Sequence, residues 1–118
     1  MEKLMLVVDD DLVNRKLARA MLEREGWTVS ESGEGLAALE LASRQRFTAV
    51  LLDISLPDMS GEEVCARLRQ THESLFIVAY TAHTIQQDVD RMLAKGFDKV
   101  LLKPVTVSAM REAFSGLG

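Results

Sequence analysis

Cysteine, proline and aromatic residues are scarce in this chain of 118 residues. The single cysteine, Cys65, excludes an internal disulfide, which fits a reducing compartment. There are two prolines, and no proline- or glycine-rich tract marks a linker between domains. The length is typical of one domain with its own core, so we expect a single domain over residues 1–118.

Long hydrophobic runs and an excess of basic residues are also missing. The longest apolar runs, residues 4–8 and 76–80, are far too short to cross a bilayer, and no secretory signal precedes the first of them. The formal net charge of -4 gives no electrostatic reason to bind nucleic acid or an anionic membrane. We therefore expect a cytoplasmic protein, or the cytoplasmic part of a membrane-bound one, without direct nucleic-acid binding or membrane insertion.

Short apolar runs alternate with longer stretches of helical periodicity along the chain. Strands that are apolar throughout and joined by helices indicate a parallel sheet covered on both faces, which predicts a doubly wound α/β fold of five βα units. In the first helix we expect Val13, Leu17, Met21 and Leu22 to face the core, and in the second Leu36 and Leu39, with Leu41 as a further candidate. The predicted strands are 4–8, 27–30, 47–52, 76–80 and 99–102, and the predicted helices are 12–25, 34–44, 62–70, 85–95 and 106–114.

Residues that directly follow the predicted strands carry the chemistry. In such sheets ligands bind beyond the carboxyl ends of the strands, where Asp9, Asp10, Asp53, Thr81 and Lys103 are expected to meet. Three crowded carboxylates repel one another, and a hard cation such as Mg²⁺ removes that repulsion. An aspartate beside the metal can act as a nucleophile and form an acyl phosphate, with a lysine and a hydroxyl group binding the phosphoryl oxygens. The sequence therefore predicts a phosphoryl-accepting site at this edge.

Four motifs, in this order, resemble those of the receiver domains of two-component response regulators. They are VVDDD at 7–11, LLDISLPDMSG at 51–61, YTA at 80–82 and LKP at 102–104. Each motif alone is weak, but the ordered set is specific, and the resemblance covers essentially the whole chain. It implies a flavodoxin-like, five-stranded parallel sheet with the strand order 2-1-3-4-5.

The resemblance implies how the phosphoryl group is taken up. Asp53 matches the phosphoacceptor, which takes the group from a histidine of a histidine kinase or of a histidine phosphotransfer domain. Thr81 matches the switch hydroxyl and Lys103 the phosphate-binding lysine. The chain would then phosphorylate and dephosphorylate itself without being an enzyme in the usual sense, unless it is a piece of a hybrid histidine kinase.

The resemblance also implies a set of metal ligands. Asp10 matches the acid that contacts Mg²⁺ directly, and Asp9 helps, partly through water. Asp53 and the backbone carbonyl of Ser55 complete the set, so the side chain at position 55 is not critical. Mn²⁺ is a possible substitute for Mg²⁺.

Val100 departs from the family pattern. That position, three residues before the lysine, often carries an aromatic residue that acts as the switch partner of the threonine. Tyr80 is not expected to replace it, because neighbouring strand residues point to opposite faces of the sheet. The route by which phosphorylation is communicated is therefore open. The resemblance implies an output surface, and a possible dimer contact, on the fourth helix, fifth strand and fifth helix.

Two alternatives and one question of context stay open at this stage. The chain could be a constitutive interaction module with the same fold and no phosphorylation, although such modules usually lack one of the acids or the lysine. It could be a metal-dependent phosphohydrolase that uses Asp9 and Asp11, although Asp53 and Lys103 would then have no explanation. It could also be a stand-alone regulator or, as the residues after Thr81 weakly suggest, the receiver of a hybrid sensor histidine kinase.

Overall fold

Five strands and five helices alternate along the part of the chain that the structure describes. The computed structural model describes residues 3–82 and 86–117. The predicted α/β alternation is confirmed, while the predicted beginning of the fourth helix at residue 85 lies outside the described residues. The elements are β1 (Leu4–Val8), α1 (Leu12–Arg24), β2 (Thr28–Ser32), α2 (Gly35–Arg44), β3 (Ala49–Asp53), α3 (Gly61–Thr71), β4 (Phe76–Thr81), α4 (Gln86–Ala94), β5 (Lys99–Leu102) and α5 (Val107–Ala113).

The strands form one parallel sheet in the order β2-β1-β3-β4-β5, as predicted. α1 and α5 cover one face, while α2, α3 and α4 cover the other. Since the strands run parallel, all their carboxyl ends lie at one edge. No helix in the described part of the chain is long and apolar enough to span a membrane.

Side chains of the central strands alternate between two hydrophobic layers. In β1, Leu6 and Val8 pack under α2, α3 and α4, whereas Met5 and Val7 pack under α1 and α5. All four side chains are fully buried. Burial on both faces explains why these strands are apolar at every position rather than at every second one.

The inward face of α1 differs from the predicted one. Val13 and Leu17 are 68% and 54% exposed, and the residues that α1 buries are Ala18 and Leu22. Ala18 lets the helix lie close to the sheet, and Arg15 is drawn inward by polar contacts near the end of β1. These contacts turn Val13 and Leu17 outward, so that part of the prediction was wrong.

The inward face of α2 was predicted correctly for Leu39 and Leu41, which pack against the core, but not for Leu36. Leu36 is 56% exposed, because the helix packs through its smallest residues, Gly35, Ala38 and Ala42. Asp58, in the loop after β3, accepts hydrogen bonds from the backbone amides of Gly35 and Leu36, at 2.8 and 2.9 Å. Asp58 therefore caps α2 from a distant loop in addition to its place in a turn.

Candidate functional site

Three carboxylates meet where β1 and β3 end. Asp9, Asp10 and Asp53 each offer an oxygen, and these oxygens lie within 4.8 Å of one another. Asp9 and Asp53 are buried, while Asp10 is exposed. Asp10 and Asp53 line an open cleft of about 470 Å³, whereas Asp9 lies buried beside them. The cleft is lined by Asp10, Asp11, Asn14, Asp53, Ser55, Thr81, Ala82 and Lys103.

Asp53 is the last residue of β3, and both of its carboxylate oxygens are hydrogen-bonded. Oδ1 accepts from the backbone amide of Ser55 at 3.1 Å, and Oδ2 accepts from Nζ of Lys103 at 3.0 Å. The amide of Ile54 donates to the carbonyl of Tyr80, which extends the pairing of β3 with β4 beyond Asp53. These contacts hold the carboxylate of Asp53 at the cleft in a defined orientation.

Asp9 is a fully buried acid with an unsatisfied oxygen. Its Oδ1 accepts from the amide of Asp11 at 2.9 Å. Its Oδ2 has no hydrogen-bond partner among the described residues, and Nζ of Lys103 lies 3.4 Å away. Burial raises the pKa of Asp9, although the Asp11 amide and the charge of Lys103 oppose that rise. A buried, incompletely neutralised carboxylate is costly, and this one lies beside two other acids.

Lys103 supplies the positive charge of the site. Burial alone would lower its pKa, but the neighbouring carboxylates of Asp53 and Asp9 outweigh that effect, so the pKa is raised and the ammonium stays protonated. The backbone amide of Lys103 donates to the carbonyl of Thr81 at 2.8 Å, which ties the loop after β5 to the end of β4. The peptide bond between Lys103 and Pro104 is cis.

The donor set fits a hard divalent cation. Asp9, Asp10 and Asp53 offer only oxygen ligands, which Mg²⁺ and Mn²⁺ prefer, and Ser55 lines the same cleft. Oδ2 of Asp9 has an ion-pair contact with Lys103 but no hydrogen bond among the described residues, which independently favours such an ion, because buried polar atoms are seldom left without a hydrogen bond. The three carboxylates are therefore the groups that could hold such an ion.

Thr81 and its neighbour Tyr80 face opposite layers of the sheet. Thr81 is buried at the end of β4 and lines the cleft. Tyr80 belongs to the layer under α1 and α5, whereas Val100 packs against the layer under α2, α3 and α4. The predicted placement of Tyr80 and Val100 on opposite faces of the sheet is therefore confirmed, and that Tyr80 does not replace an aromatic residue at position 100 stays a prediction.

Arg15 is a supporting residue that the sequence reasoning missed. Its Nη1 donates to the carbonyl oxygen of Asp9 at 2.8 Å, and its Nε pairs with Glu31 on β2 at 2.9 Å. Burial opposes the ionisation of Glu31, but hydrogen bonds from Lys16, Arg19 and Arg15 lower its pKa to about 2. This ionic network fixes the backbone of Asp9 against β2. The sequence offered one signal for this role, since Arg15 lies one turn into the helix that directly follows the acidic motif.

The chain resembles a protein family, individual sequence relatives and solved structures. The family model of the response regulator receiver domain matches residues 5–115. Sensor histidine kinase RcsC of Salmonella typhi is 32% identical over 114 residues, which are 97% of this chain but 12% of RcsC. The polar-differentiation response regulator DivK of Brucella anthropi is 34% identical over 109 residues, which are 91% of this chain and 89% of DivK.

The third resemblance is structural. A response regulator protein from Burkholderia pseudomallei, whose crystal structure has a phosphorylated aspartic acid, a calcium ion and citrate, superposes with a TM-score of 0.88. The sequences are 27% identical, and the match covers 98% of this chain and 68% of that one. This superposition agrees with the fold observed here.

Proposed function

This chain belongs to the family of response regulator receiver domains, and we propose that it accepts a phosphoryl group on Asp53 from a histidine donor. Receiver domains are not conventional enzymes, and they pair with histidine kinases and phosphotransfer proteins. The observation that carries the proposal is the convergence of Asp53 with Asp9, Asp10 and Lys103 at one open cleft. The phosphorylated aspartic acid of the Burkholderia pseudomallei relative supports it.

The proposed transfer is a displacement at phosphorus. A carboxylate oxygen of Asp53 attacks the phosphorus atom, a new O–P bond forms, and the P–N bond of the phosphohistidine breaks with its electron pair returning to the imidazole ring. Lys103 attracts the phosphoryl oxygens, and Thr81 offers them a hydroxyl group. Mg²⁺, when bound by Asp9, Asp10, Asp53 and the carbonyl of Ser55, neutralises part of the charge on the phosphoryl group. Water later attacks the phosphorus atom of the acyl phosphate, the O–P bond to Asp53 breaks, inorganic phosphate leaves, and the carboxylate of Asp53 is regenerated.

The two alternative functions have less support. A constitutive interaction module does not need three acids and a lysine held at one cleft. A phosphohydrolase acting through Asp9 would use Asp11 as its second acid. However, Oδ1 of Asp11 accepts a hydrogen bond from the amide of Asn14 at 2.9 Å and caps α1. Asp11 thus has a structural explanation that does not involve a substrate.

Acetyl phosphate, a small phosphoryl donor, tests the proposal without a partner protein. With Mg²⁺ present, the intact chain is expected to gain the mass of one phosphoryl group, and peptide mapping should locate it on Asp53. EDTA should prevent the gain, and hydroxylamine should remove it, since an acyl phosphate is labile to that nucleophile. No mass gain with Mg²⁺ and acetyl phosphate, or a gain on a serine or histidine, would refute the proposal.

The exposed apolar residues of α1 are the surface on which we expect the histidine donor to dock. This stripe consists of Leu12, Val13 and Leu17, which are all more than half exposed. It continues directly from the cleft, whose wall includes Asp11 and Asn14 at the beginning of α1. A donor that brings a histidine side chain to the buried Asp53 must cover the rim of the cleft, so an apolar stripe there is placed to contact it.

Leu17→Glu should slow phosphotransfer from a protein donor by roughly tenfold or more, because it buries a charge in the proposed contact. Phosphorylation by acetyl phosphate should stay within about twofold of wild type, since small donors need no docking surface. The protein donor would be chosen from a panel of autophosphorylated histidine kinases as the one that transfers its phosphoryl group to the wild-type chain fastest. Leu36→Glu is the matched control, because Leu36 is equally exposed but belongs to the opposite helix layer. Equal slowing by both variants would contradict docking on α1.

The remaining predictions concern the context of the domain. We propose that residues 1–118 form one receiver domain, that it works in the cytoplasm, and that its output surface lies on α4, β5 and α5. Exposed apolar side chains on each of these three elements, Leu93, Leu102 and Val107, support that surface. The chain spans about one eighth of the length of RcsC, so a place within a longer sensor kinase is equally compatible with the proposed chemistry.

A further inference from the structure

Lys103 must cross one strand to reach Asp53. In the register of the sheet, Asp53 on β3 lies beside Tyr80 on β4, and Tyr80 lies beside Leu101 on β5. By strand alternation, residues 101 and 103 point to the same face. The backbone of Lys103 is two strand spacings, roughly 10 Å, from the backbone of Asp53. On that face, the β4 residue that lies between them is Tyr80.

The ring of Tyr80 lies directly beneath the lysine. Nζ of Lys103 is 4.6 Å from the centroid of the ring, well within the range of a cation–π contact. The same ammonium is 3.0 Å from Oδ2 of Asp53 and 3.4 Å from Oδ2 of Asp9. The ammonium therefore has carboxylates on one side and an aromatic face on another. The lysine side chain is only 20% exposed, which strengthens the contact because little water competes for the charge.

Tyr80 is itself held firmly. Only 4% of it is exposed, and it packs in the layer under α1 and α5 with Val7, Leu51 and Val78. The carbonyl oxygen of Tyr80 accepts a hydrogen bond from the amide of Ile54, so the backbone of Tyr80 is fixed to the segment that follows Asp53. A ring buried in this way is a rigid support, whereas the four-carbon stem of a lysine is flexible.

We propose that Tyr80 is a positioning residue for the phosphoryl transfer: the face of its ring holds the Lys103 ammonium beside Asp53. This inference rests on the proposed function, because it assigns a purpose to Lys103 at the phosphorylated residue. Without the ring, the ammonium would sample more positions toward the open cleft and solvent. It would then be beside Asp53 in a smaller fraction of encounters with a phosphoryl donor. Tyr80 acts through Lys103 and does not touch the reacting atoms.

Three variants separate this role from simple packing. Tyr80→Phe keeps the aromatic face, and Tyr80→Leu removes it while keeping an apolar side chain. Phe76→Leu is the matched control, because Phe76 lies on the same strand and face but its ring is next to Lys99 at the far end of the sheet. Tyr80→Leu should slow phosphorylation by acetyl phosphate roughly fivefold, the effect of losing a partly desolvated cation–π contact. Tyr80→Phe and Phe76→Leu should stay close to wild type.

A spectroscopic signature tests the contact without any phosphorylation. The ring current of Tyr80 should move the NMR resonance of the Lys103 ε-methylene protons upfield of those of the other lysines. Tyr80→Leu should abolish that shift, and Tyr80→Phe should retain it. A normal Lys103 resonance in the wild type, or a Tyr80→Phe variant as slow as Tyr80→Leu, would overturn the inference. Equal slowing by Phe76→Leu would also overturn it.

The two proposals fail in different ways. If the wild-type chain takes up no phosphoryl group, the proposed function fails, and the NMR shift still reports whether the ring holds the ammonium. If the wild type is phosphorylated but Tyr80→Leu reacts at the wild-type rate, only the role of Tyr80 is lost.

Discussion

Asp53→Asn is expected to abolish the uptake of a phosphoryl group from acetyl phosphate, with a rate loss on the order of a thousandfold or more. An amide of almost the same shape replaces the carboxylate, so the hydrogen bond from the Ser55 amide to Oδ1 can persist. The amide carries no charge and is a far weaker nucleophile than a carboxylate. The variant should therefore lose phosphorylation but keep its fold. Intact-mass kinetics would measure the first, and circular dichroism the second.

Asp58→Asn is the matched control for that experiment. Asp58 lies in the loop that follows β3, five residues after Asp53, but its oxygens cap α2 and it is not among the residues that line the cleft. Asparagine keeps one capping oxygen, so we expect a phosphorylation rate within about twofold of wild type. If Asp53→Asn still gained the phosphoryl mass, the acceptor would have to be another acid of the cluster, such as Asp9 or Asp10.

Gly61→Ala is expected to destabilise the fold by about 3 kcal/mol or more. A methyl group on Gly61 would clash with the carbonyl oxygen of Asp53 and would lie 2.8 Å from Cα of Ile54. Both are backbone atoms, and the amide of Gly61 also donates to the carbonyl of Ile54 at 2.7 Å, so neither chain segment can move aside cheaply. Urea unfolding followed by the fluorescence of the buried Trp27 would measure the loss.

Gly35→Ala is the control for the glycine experiment. Gly35 is also the first residue of a helix and is also buried, but an added methyl group would meet side-chain atoms, at 2.5 Å from Cγ of Met59. The added methyl group would also lie 2.9 Å from Cγ2 of Val64, a buried side chain that is less able to move than the flexible Met59. Because only side chains must repack, we expect a loss of about 1–2 kcal/mol, smaller than that of Gly61→Ala. Equal losses for the two variants would show that the approach of Gly61 to the Asp53 backbone is not what matters. The Gly61→Ala variant should also be phosphorylated more slowly, because the clash displaces the backbone of Asp53 itself.

The order of the elements and the positions of the acids could be predicted from the sequence. Apolar runs such as β1 and β3 are buried on both faces, so their composition alone identifies them. Once a doubly wound parallel sheet is inferred, its topology places every strand end at one edge. Asp9, Asp53 and Lys103 could be assigned to one site in this way, although 50 residues separate Asp53 from Lys103.

The orientation of α1 shows what the tertiary structure decided. Val13 and Leu17 have helical spacing and apolar side chains, yet they are exposed, because Ala18 and Arg15 make the inward contacts. Helical periodicity identifies an apolar face, but which face turns inward depends on the shapes and charges of its neighbours. The capping of α2 by Asp58 depends in the same way on a segment 22 residues away from Leu36.

For Lys103, the sequence predicted the charge, and the tertiary structure decided how the side chain is supported. Its sequence position after β5 predicted a positive charge near the acids, since strand ends converge in any sheet of this topology. Its position over the ring of Tyr80 follows only from the register of β3, β4 and β5, which places an aromatic residue in the strand that the lysine must cross. Sequence pattern thus specified the chemical groups of the site, and the sheet register decided how they are supported, because register is set by packing across strands that lie far apart in the chain.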